Sequence, residues 1–417
     1  MFKIINKDKK SRARLGEITT PHGIIRTPAF VPVASSATIK SLTPQEIKNC
    51  NIDVFFVNTY HMLFRPGIGV VVKMGGLHKF MNWSGPLMTD SGGFQAFSLG
   101  EYEPRNISQV ANLFHLQGGS GSLARITNQG IYFKSIWDGK TIFLGPEESI
   151  TAQNKLGADI IMSFDECTFY PIKKDYARSA MERTHRWALL SQLTDQSKPE
   201  ERKQALYGIV QGSVFKDLRY ESAKFISNLP FPGFAIGSVA NSREPREKVF
   251  AVLDWTLPYL LPTQKPIHFL GVGEIEDMFI SIGKGIDSFD CVTPTRLGRM
   301  GWIFDKKKGV KNKFRFDITK AKFSLDKNPP VKGCHCFTCQ NFSRAYLNHL
   351  FRCRELLAYR LATIHNLYFF GKLMEDIREA IAENRFLKLK KEWLGIWLTF
   401  QESFRPPGKC CNATPSR

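Results

Sequence analysis

Eight short runs rich in β-branched and aromatic residues, separated by longer stretches compatible with helix, constrain the fold most strongly. The runs are 28–33, 53–59, 86–90, 159–165, 206–211, 233–238, 267–272 and 288–292. Repeated alternation of strand and helix is typical of a closed parallel barrel surrounded by helices. We therefore predict an α/β fold, a (β/α)8 TIM barrel, over residues 28–300.

The rest of the chain is expected to flank this barrel. Residues 1–27 predict N-terminal β hairpins, and Asp138-Gly139 predicts a further hairpin turn. Residues 101–123 carry many Gln, Gly and Ser residues and indicate an insertion that forms a mobile loop. Residues 301–404 are expected to form a basic hairpin, a metal-binding segment and a helical subdomain, followed by a flexible tail at 405–417.

Composition limits the classes of function that are compatible with this chain. The 417 residues carry a net charge of +20, which attracts polyanions such as nucleic acid or an anionic membrane surface. There is no run of about 18 apolar residues and no secretory h-region, so we expect a cytoplasmic protein with no membrane segment. Three of the nine cysteines are clustered, which favours metal binding and free thiols over disulfides.

Polar residues recur where the predicted strands end, which is where barrel enzymes place their sites. They are Asn58 and His61 after the second strand, Asp90 after the third, Asp165 after the fourth, Gln211 after the fifth, Gly237 and Ser238 after the sixth, Gly271 after the seventh and Asp290 after the eighth. Each residue alone is compatible with a helix cap or a turn. Three carboxylates at the ends of three barrel strands indicate a catalytic site.

The segment 288–301 carries the most specific chemistry. An apolar strand ends on Asp290, and a Pro- and Gly-broken loop with Arg296 and Arg299 follows. An aspartate in this position can act as a nucleophile, while the two arginines can hold a phosphate backbone. The alternatives are that Asp290 caps the next helix and that the lysine-rich stretch after it is a solvated hairpin.

Three thiols within six residues, Cys334, Cys336 and Cys339, together with His365, predict a closed tetrahedral zinc site. His335 is sterically awkward as a ligand, and His349 is the nearest alternative to His365. Since four protein ligands leave no position for water, we expect one structural Zn2+ per chain and no catalytic metal.

Taken together, these motifs resemble the bacterial tRNA-guanine transglycosylase family, from about Thr27 to about Glu383. The similarity rests on Asp90-Ser91-Gly92-Gly93-Phe94-Gln95, Phe164-Asp165-Glu166-Cys167, Gly208-Ile209-Val210-Gln211-Gly212, Gly271-Val272-Gly273, the segment from Phe289 to Arg296 and the Cys/His cluster. The resemblance implies a zinc-bearing barrel enzyme, usually a homodimer. Such enzymes exchange the wobble guanine of the tRNAs for Asp, Asn, His and Tyr for a 7-deazaguanine.

The resemblance also implies residue roles. Asp290 would be the nucleophile and Asp90 the general acid/base, with Asn58 orienting the nucleophile. Base-binding residues would be Asp165, Gln211, Gly237, Ser238 and the flanking Phe94 and Leu270. Arg296 and Arg299 would hold the tRNA anticodon loop.

The segment after the sixth strand departs from the family pattern. Where bacterial members have an apolar wall behind the aminomethyl group of 7-aminomethyl-7-deazaguanine, this chain has Ser238, Asn241 and Ser242. Either that base or queuine remains open as the incoming base, with queuine salvage as a hypothesis and neutral replacement as its alternative. Rival functions are a non-catalytic tRNA-binding subunit, an archaeal-type relative and a retaining glycosidase.

Overall fold

The computed structural model describes residues 2–94, 123–135, 139–197, 204–237 and 244–395. In chain order the strands are β1 (Phe2–Lys7), β2 (Arg14–Thr20), β3 (Gly23–Thr27), β4 (Ala29–Ala34), β5 (Phe55–Val57), β6 (Leu87–Thr89), β7 (Ala124–Ile126), β8 (Ile131–Lys134), β9 (Thr141–Leu144), β10 (Ile160–Met162), β11 (Ala205–Val210), β12 (Gly233–Ile236), β13 (Ile267–Phe269), β14 (Ser288–Cys291), β15 (Trp302–Phe304) and β16 (Arg315–Asp317).

The α-helices of the same described residues surround and follow these strands. They are α1 (Pro44–Lys48), α2 (Thr59–Phe64), α3 (Ile68–Lys73), α4 (Gly76–Met81), α5 (Pro146–Leu156), α6 (Lys174–Gln196), α7 (Lys216–Ser227), α8 (Arg246–Leu260), α9 (Ile275–Lys284), α10 (Thr293–Arg299), α11 (Phe337–Asn341), α12 (Arg344–Arg352), α13 (Leu356–Ala382) and α14 (Phe386–Leu394).

Eight parallel strands close into a barrel in the order β4, β5, β6, β10, β11, β12, β13, β14. Closure is made by β14 and β4, with Asp290 opposite Val31. Each barrel strand coincides with one of the eight predicted runs to within a few residues, so the predicted TIM barrel is confirmed.

Alternate residues of the barrel strands face the interior and the helices, as the pleat of a strand requires. Val31, Phe56 and Met162 belong to the interior cluster. Their strand neighbours Phe30 and Phe55 pack outward among the helices. The strands are therefore apolar on both faces, which is typical of a parallel sheet covered by helices.

An antiparallel sheet of β1, β2 and β3 covers the end of the barrel where its strands begin. Ile18 and Ile25 of this sheet pack onto the interior cluster, so the expected N-terminal hairpins are present. A second sheet, β7 to β9, contains the two strands expected around Asp138-Gly139 and one that was not predicted. Asp138, nearly all of the expected 101–123 insertion and the 405–417 tail lie outside the described residues.

The C-terminal segment begins with the β15–β16 hairpin and continues into helices. α13 packs against the barrel through Phe370, whose ring centroid lies 4.7 Å from that of Phe30. A continuous apolar core therefore joins these helices to the barrel. Within the described ranges, no helix combines the length and the apolar character needed to cross a bilayer.

Candidate active site

The residues predicted from strand ends meet at the carboxyl end of the barrel. Asp90 follows β6 directly and is half-buried among polar donors. Its Oδ1 accepts a hydrogen bond from the backbone N–H of Thr59 (2.6 Å), and its Oδ2 accepts one from the side-chain amide of Asn58. Burial, together with the charges of Asp290 and Asp165, raises the pKa of Asp90 to about 7 against the opposing bond from Thr59. Both protonation states are therefore accessible near neutral pH.

Among the described residues, the Asn58 side chain forms hydrogen bonds with Asp90 and His61 and none with Asp290, which the resemblance implies that it orients. Its amide N–H2 donates to Asp90, while its Oδ1 accepts from the backbone N–H of His61 at 3.0 Å and caps α2. The carbonyl and amide groups of one side chain thus link the start of α2 to Asp90. In this structure Asn58 orients the predicted acid/base, not the predicted nucleophile.

Asp165 lies three residues beyond β10 and accepts two side-chain hydrogen bonds. Ser91 Oγ lies 2.8 Å from its Oδ1, and Gln211 Nε2 lies 2.7 Å from its Oδ2. Burial raises the pKa of Asp165 to about 6, against the opposing hydrogen bonds from Gln211 and Ser91. Gly93 permits the close approach here, since a Cβ atom on it would lie 2.3 Å from the Asp165 carbonyl oxygen.

Gln211 and Gly237 follow neighbouring strands and are packed together. A Cβ atom at Gly237 would lie 2.7 Å from Gln211 Nε2, so a larger residue there would displace the Gln211 amide. The Gly237 N–H donates to the Val210 carbonyl at 3.1 Å and is not available to a ligand. Gln211 Oε1 is buried with no hydrogen-bond partner among the described residues. Ser238, Asn241 and Ser242 lie outside those residues.

Asp290 lies within β14 and keeps 15% of its side-chain surface exposed. Its Oδ1 accepts hydrogen bonds from the backbone N–H of Gly271 (3.0 Å) and from His268 Nε2 (3.1 Å). Val292 is the N-cap residue of α10 and forms no side-chain cap, so Asp290 is not a helix cap. The predicted loop of 293–299 is instead the short helix α10, because Pro294 in its first turn is preorganised for helix.

The remaining predicted base contacts lie beside these groups. Leu270 follows β13 and is partly buried against the interior cluster. Phe94 follows Gly93, and its ring is substantially exposed. An exposed ring and a half-buried aliphatic side chain at the same barrel end are compatible with a planar ligand between them.

Arg296 and Arg299 lie near Lys40, and the three residues form a basic group. Arg296 is exposed on α10, and Arg299 donates to the Thr295 carbonyl at 2.9 Å. Burial and the Arg296 charge lower the pKa of Arg299, and burial and the Arg299 charge lower that of Lys40. Within the described residues none of these three cations forms an ion pair with a carboxylate. Such a group is suited to bind an anion of another molecule.

The four predicted metal ligands come together in the C-terminal segment. His365 Nδ1 lies 3.7 Å from Cys334 Sγ, 3.4 Å from Cys336 Sγ and 3.3 Å from Cys339 Sγ. A tetrahedral zinc ion would place nitrogen and sulfur ligands about 3.6 Å apart. His365 Nε2 donates to the Phe304 carbonyl at 2.7 Å, which leaves Nδ1 as the metal-binding nitrogen. His349 instead contacts Cys353, outside this group.

A second histidine and carboxylate group, formed by His22, His78 and Asp159, lies where the barrel strands begin. The two imidazole rings stack with centroids 3.5 Å apart and planes 15° apart. Ring-nitrogen lone pairs lie in the ring planes, so nearly parallel rings cannot both direct them at one ion about 2 Å away. His22 Nδ1 lies 2.7 Å from Asp159, so we interpret this group as a hydrogen-bonded link between the N-terminal sheet and the barrel.

Two buried residues of the site were not predicted. Arg219 of α7 donates to the carbonyls of Ser213, Val210 and Gly237, and so joins the segments that follow β11 and β12. His268 contacts Asp290 from the neighbouring strand β13. The sequence did contain a signal for His268, because it is a polar residue at an inward position of an otherwise apolar strand. The sequence contained no such signal for Arg219, because Arg219 lies on a helix.

Comparison with known proteins agrees with this geometry. Residues 8–398 match the sequence model of the family described as queuine tRNA-ribosyltransferase. Queuine tRNA-ribosyltransferases of Caldanaerobacter subterraneus subsp. tengcongensis and Thermoanaerobacter pseudethanolicus are each 44% identical, over 94% of this chain and 96% of theirs. That of Symbiobacterium thermophilum is 44% identical over 95% of this chain and 91% of its own. Carboxylates at the barrel end, a Cys3His group and matches over nearly the whole length show that this chain belongs to the queuine tRNA-ribosyltransferase family.

Proposed function

We propose that this chain exchanges the wobble guanine of the tRNAs for Asp, Asn, His and Tyr for a 7-deazaguanine. The observation that carries the proposal is the convergence of three carboxyl groups with different environments at one barrel end. Asp165 is buried, whereas Asp90 and Asp290 are half-buried, and the pKa values of Asp90 and Asp165 are raised. Different environments suit groups that act as nucleophile, acid/base and base receptor.

The proposed reaction is a double displacement. Asp290 Oδ2 attacks C1′ of the ribose, the C1′–N9 bond breaks, and its electron pair leaves with guanine as Asp90 supplies a proton. Asp90, now ionised, removes the N9 proton of the incoming base. That nitrogen then attacks C1′ and displaces the Asp290 carboxylate. Two inversions retain the configuration at C1′.

Guanine recognition is proposed for Asp165 and Gln211. The Asp165 carboxylate accepts from the N1–H and amino group of guanine, an edge that adenine does not present. The unpartnered, buried Gln211 Oε1 indicates that a donor is still missing from this end of the barrel. Phe94 and Leu270 would pack on the faces of the base, which must leave its stack to be reached.

The tRNA is proposed to lie over α10 and the β15–β16 hairpin. Arg296, Arg299 and Lys40 offer cations without carboxylate partners among the described residues. Lys306–Lys308, between the two strands of the hairpin, extends this charge. An anticodon loop supplies phosphates that match both groups.

The bound ion is proposed to be one structural Zn2+ per chain, held by Cys334, Cys336, Cys339 and His365. The support is the chemistry of the donor set and its spacing. When bound, zinc would tie α11 and the segment before it to α13 and supply cohesion, not catalysis.

The chain is proposed to form a homodimer through the surface beside the zinc site. Phe337, Phe342 and Tyr346 form a chain of ring contacts, with successive centroids 5.8 Å and 5.5 Å apart. Phe337 and Tyr346 are exposed. Exposed aromatic clusters are typical of protein interfaces. Light scattering of the wild type and of Tyr346→Ala tests this, and a monomeric wild type contradicts it.

The identity of the incoming base is proposed from sequence alone. Asn241 offers an amide to ring hydroxyl groups, which favours queuine over 7-aminomethyl-7-deazaguanine. Measurement of kcat/KM for both bases on the same tRNA decides this, and a strong preference for the aminomethyl compound excludes queuine salvage.

Incubation of bulk tRNA with labelled guanine tests the function as a whole. Time-dependent incorporation into tRNA, absent with tRNA lacking a wobble guanine, is expected. Binding of tRNA without incorporation would indicate a non-catalytic subunit. Hydrolysis of a β-glycoside without incorporation would indicate a glycosidase.

A further inference from the structure

His268 is a completely buried imidazole in contact with the proposed nucleophile. Its Nε2 lies 3.1 Å from Asp290 Oδ1, and its Nδ1 lies 2.8 Å from Ser288 Oγ. Both ring nitrogens are therefore paired, although the ring is surrounded by the apolar barrel interior. One face stacks near Phe56, at 5.8 Å between centroids.

The strand geometry explains how these groups meet. His268 and Ser288 are direct register partners in the parallel pair β13–β14. Their neighbours Phe269 and Phe289 pack outward against the helices, so His268, Ser288 and Asp290 face inward. Because Asp290 is two residues beyond Ser288, one imidazole reaches both side chains.

The hydrogen-bonding capacities of the partners set which ring nitrogen faces Asp290 as a donor. An ionised carboxylate can only accept, so His268 Nε2 carries the proton that is shared with Asp290. Nδ1 pairs with the Ser288 hydroxyl, which can donate or accept. Ser288 thus holds the imidazole with Nε2 directed towards Asp290.

The two carboxylate oxygens of Asp290 differ in their hydrogen-bond partners. Oδ1 receives donors from both Gly271 and His268. Among the described residues, no hydrogen bond reaches Oδ2. We propose that His268, held in place by Ser288, is a positioning residue that anchors Asp290 Oδ1 and so aims Oδ2 at the ribose carbon. The inference rests on the proposed function.

The test compares four variants by exchange kinetics, thermal midpoint and the protein–tRNA adduct on denaturing gels. His268→Phe keeps the ring and loses the donor. Since misplacement of a reacting group by about 1 Å can cost about 100-fold, kcat should fall by about that factor, with unchanged KM for tRNA. His268→Gln, which can place an N–H near Asp290, should recover most of the lost kcat, and Ser288→Ala should lose less than His268→Phe.

Phe269→Leu is the control, because it removes core contacts on the same strand without facing Asp290. It should lower the thermal midpoint and leave kcat near the wild-type value. A His268→Phe enzyme with wild-type kcat, or a His268→Gln enzyme as slow as His268→Phe, overturns the inference. If His268→Phe does not fold, His268→Leu takes its place as the variant without a donor, and a wild-type kcat in that enzyme overturns the inference equally. Absence of exchange in the wild type would instead contradict the proposed function.

Discussion

The Asp165 carboxylate and the Gln211 amide are bonded to each other, with 2.7 Å between Asp165 Oδ2 and Gln211 Nε2. They follow adjacent strands, β10 and β11. Ser91, from the segment after β6, donates to the other carboxylate oxygen. Three segments therefore hold the Asp165 carboxylate in place, and a preorganised group would lose less conformational entropy in the proposed binding of guanine.

Asp165→Asn is predicted to weaken guanine binding. The substitution puts an N–H2 group where the base requires an acceptor, and the resulting mismatch should raise the KM for guanine by about 100-fold or more. In the wild type the same KM should rise as the pH falls below about 6, since Asp165 then becomes protonated. Exchange assays across pH measure both effects, and a flat KM between pH 5 and pH 8 contradicts the assignment.

Asp290→Asn is predicted to abolish exchange while tRNA binding remains. An amide cannot form the ribosyl ester, so kcat should fall by about 1000-fold or more. The wild type, mixed with tRNA without a competing base, should give an adduct that survives denaturation. Adduct formation or full turnover by Asp290→Asn would exclude Asp290 as the nucleophile.

Asp90→Asn is predicted to change how stability depends on pH. The pKa of Asp90 in the folded protein is raised to about 7, above the unfolded value, so its ionisation favours unfolding. Wild-type stability from this group is complete below the unfolded pKa and is lost as pH rises through about 7. The melting temperature of Asp90→Asn relative to wild type should therefore increase between about pH 4 and pH 8. A constant difference would show that Asp90 does not titrate in this range.

Metal removal is predicted to unfold the C-terminal segment. Apparent binding free energies of structural zinc sites are about 10–16 kcal/mol, so Cys336→Ala should lose both zinc and folded yield. Cys353→Ala, an exposed cysteine in the same segment, is the matched control. Metal analysis and thermal unfolding measure the result, and a zinc-free Cys336→Ala protein of normal stability would show that the metal is dispensable.

Arg296→Ala is predicted to weaken tRNA binding and reduce its salt dependence. Loss of one phosphate contact to a single-stranded loop should lower the slope of log K against log salt by roughly 0.7. Lys224→Ala, on the exposed surface of α7, should leave the slope unchanged. An equal slope in Arg296→Ala and wild type would remove Arg296 from the interface.

Local patterns were sufficient for the barrel strands and for the candidate metal ligands. The eight apolar runs predicted the barrel because strand length and alternation with helices are local properties. The Cys334, Cys336, Cys339 spacing predicted three ligands because neighbouring thiols must share one ion. The start of α1 is likewise set locally, since Thr43 and Glu46 form a capping box within four residues.

Contacts across strands were decided by the tertiary structure. Sequence showed that Asn58, Asp90 and Asp290 end or follow strands, but closure and register determine which of them touch, and Asn58 reaches Asp90. His268 and Asp290 are 22 residues apart and meet because β13 and β14 are paired. Raised pKa values likewise depend on burial by many distant residues, which no local pattern specifies. The sequence by itself therefore determined which chemical groups lie at the barrel end, while their hydrogen-bond partners and protonation followed from strand pairing and desolvation.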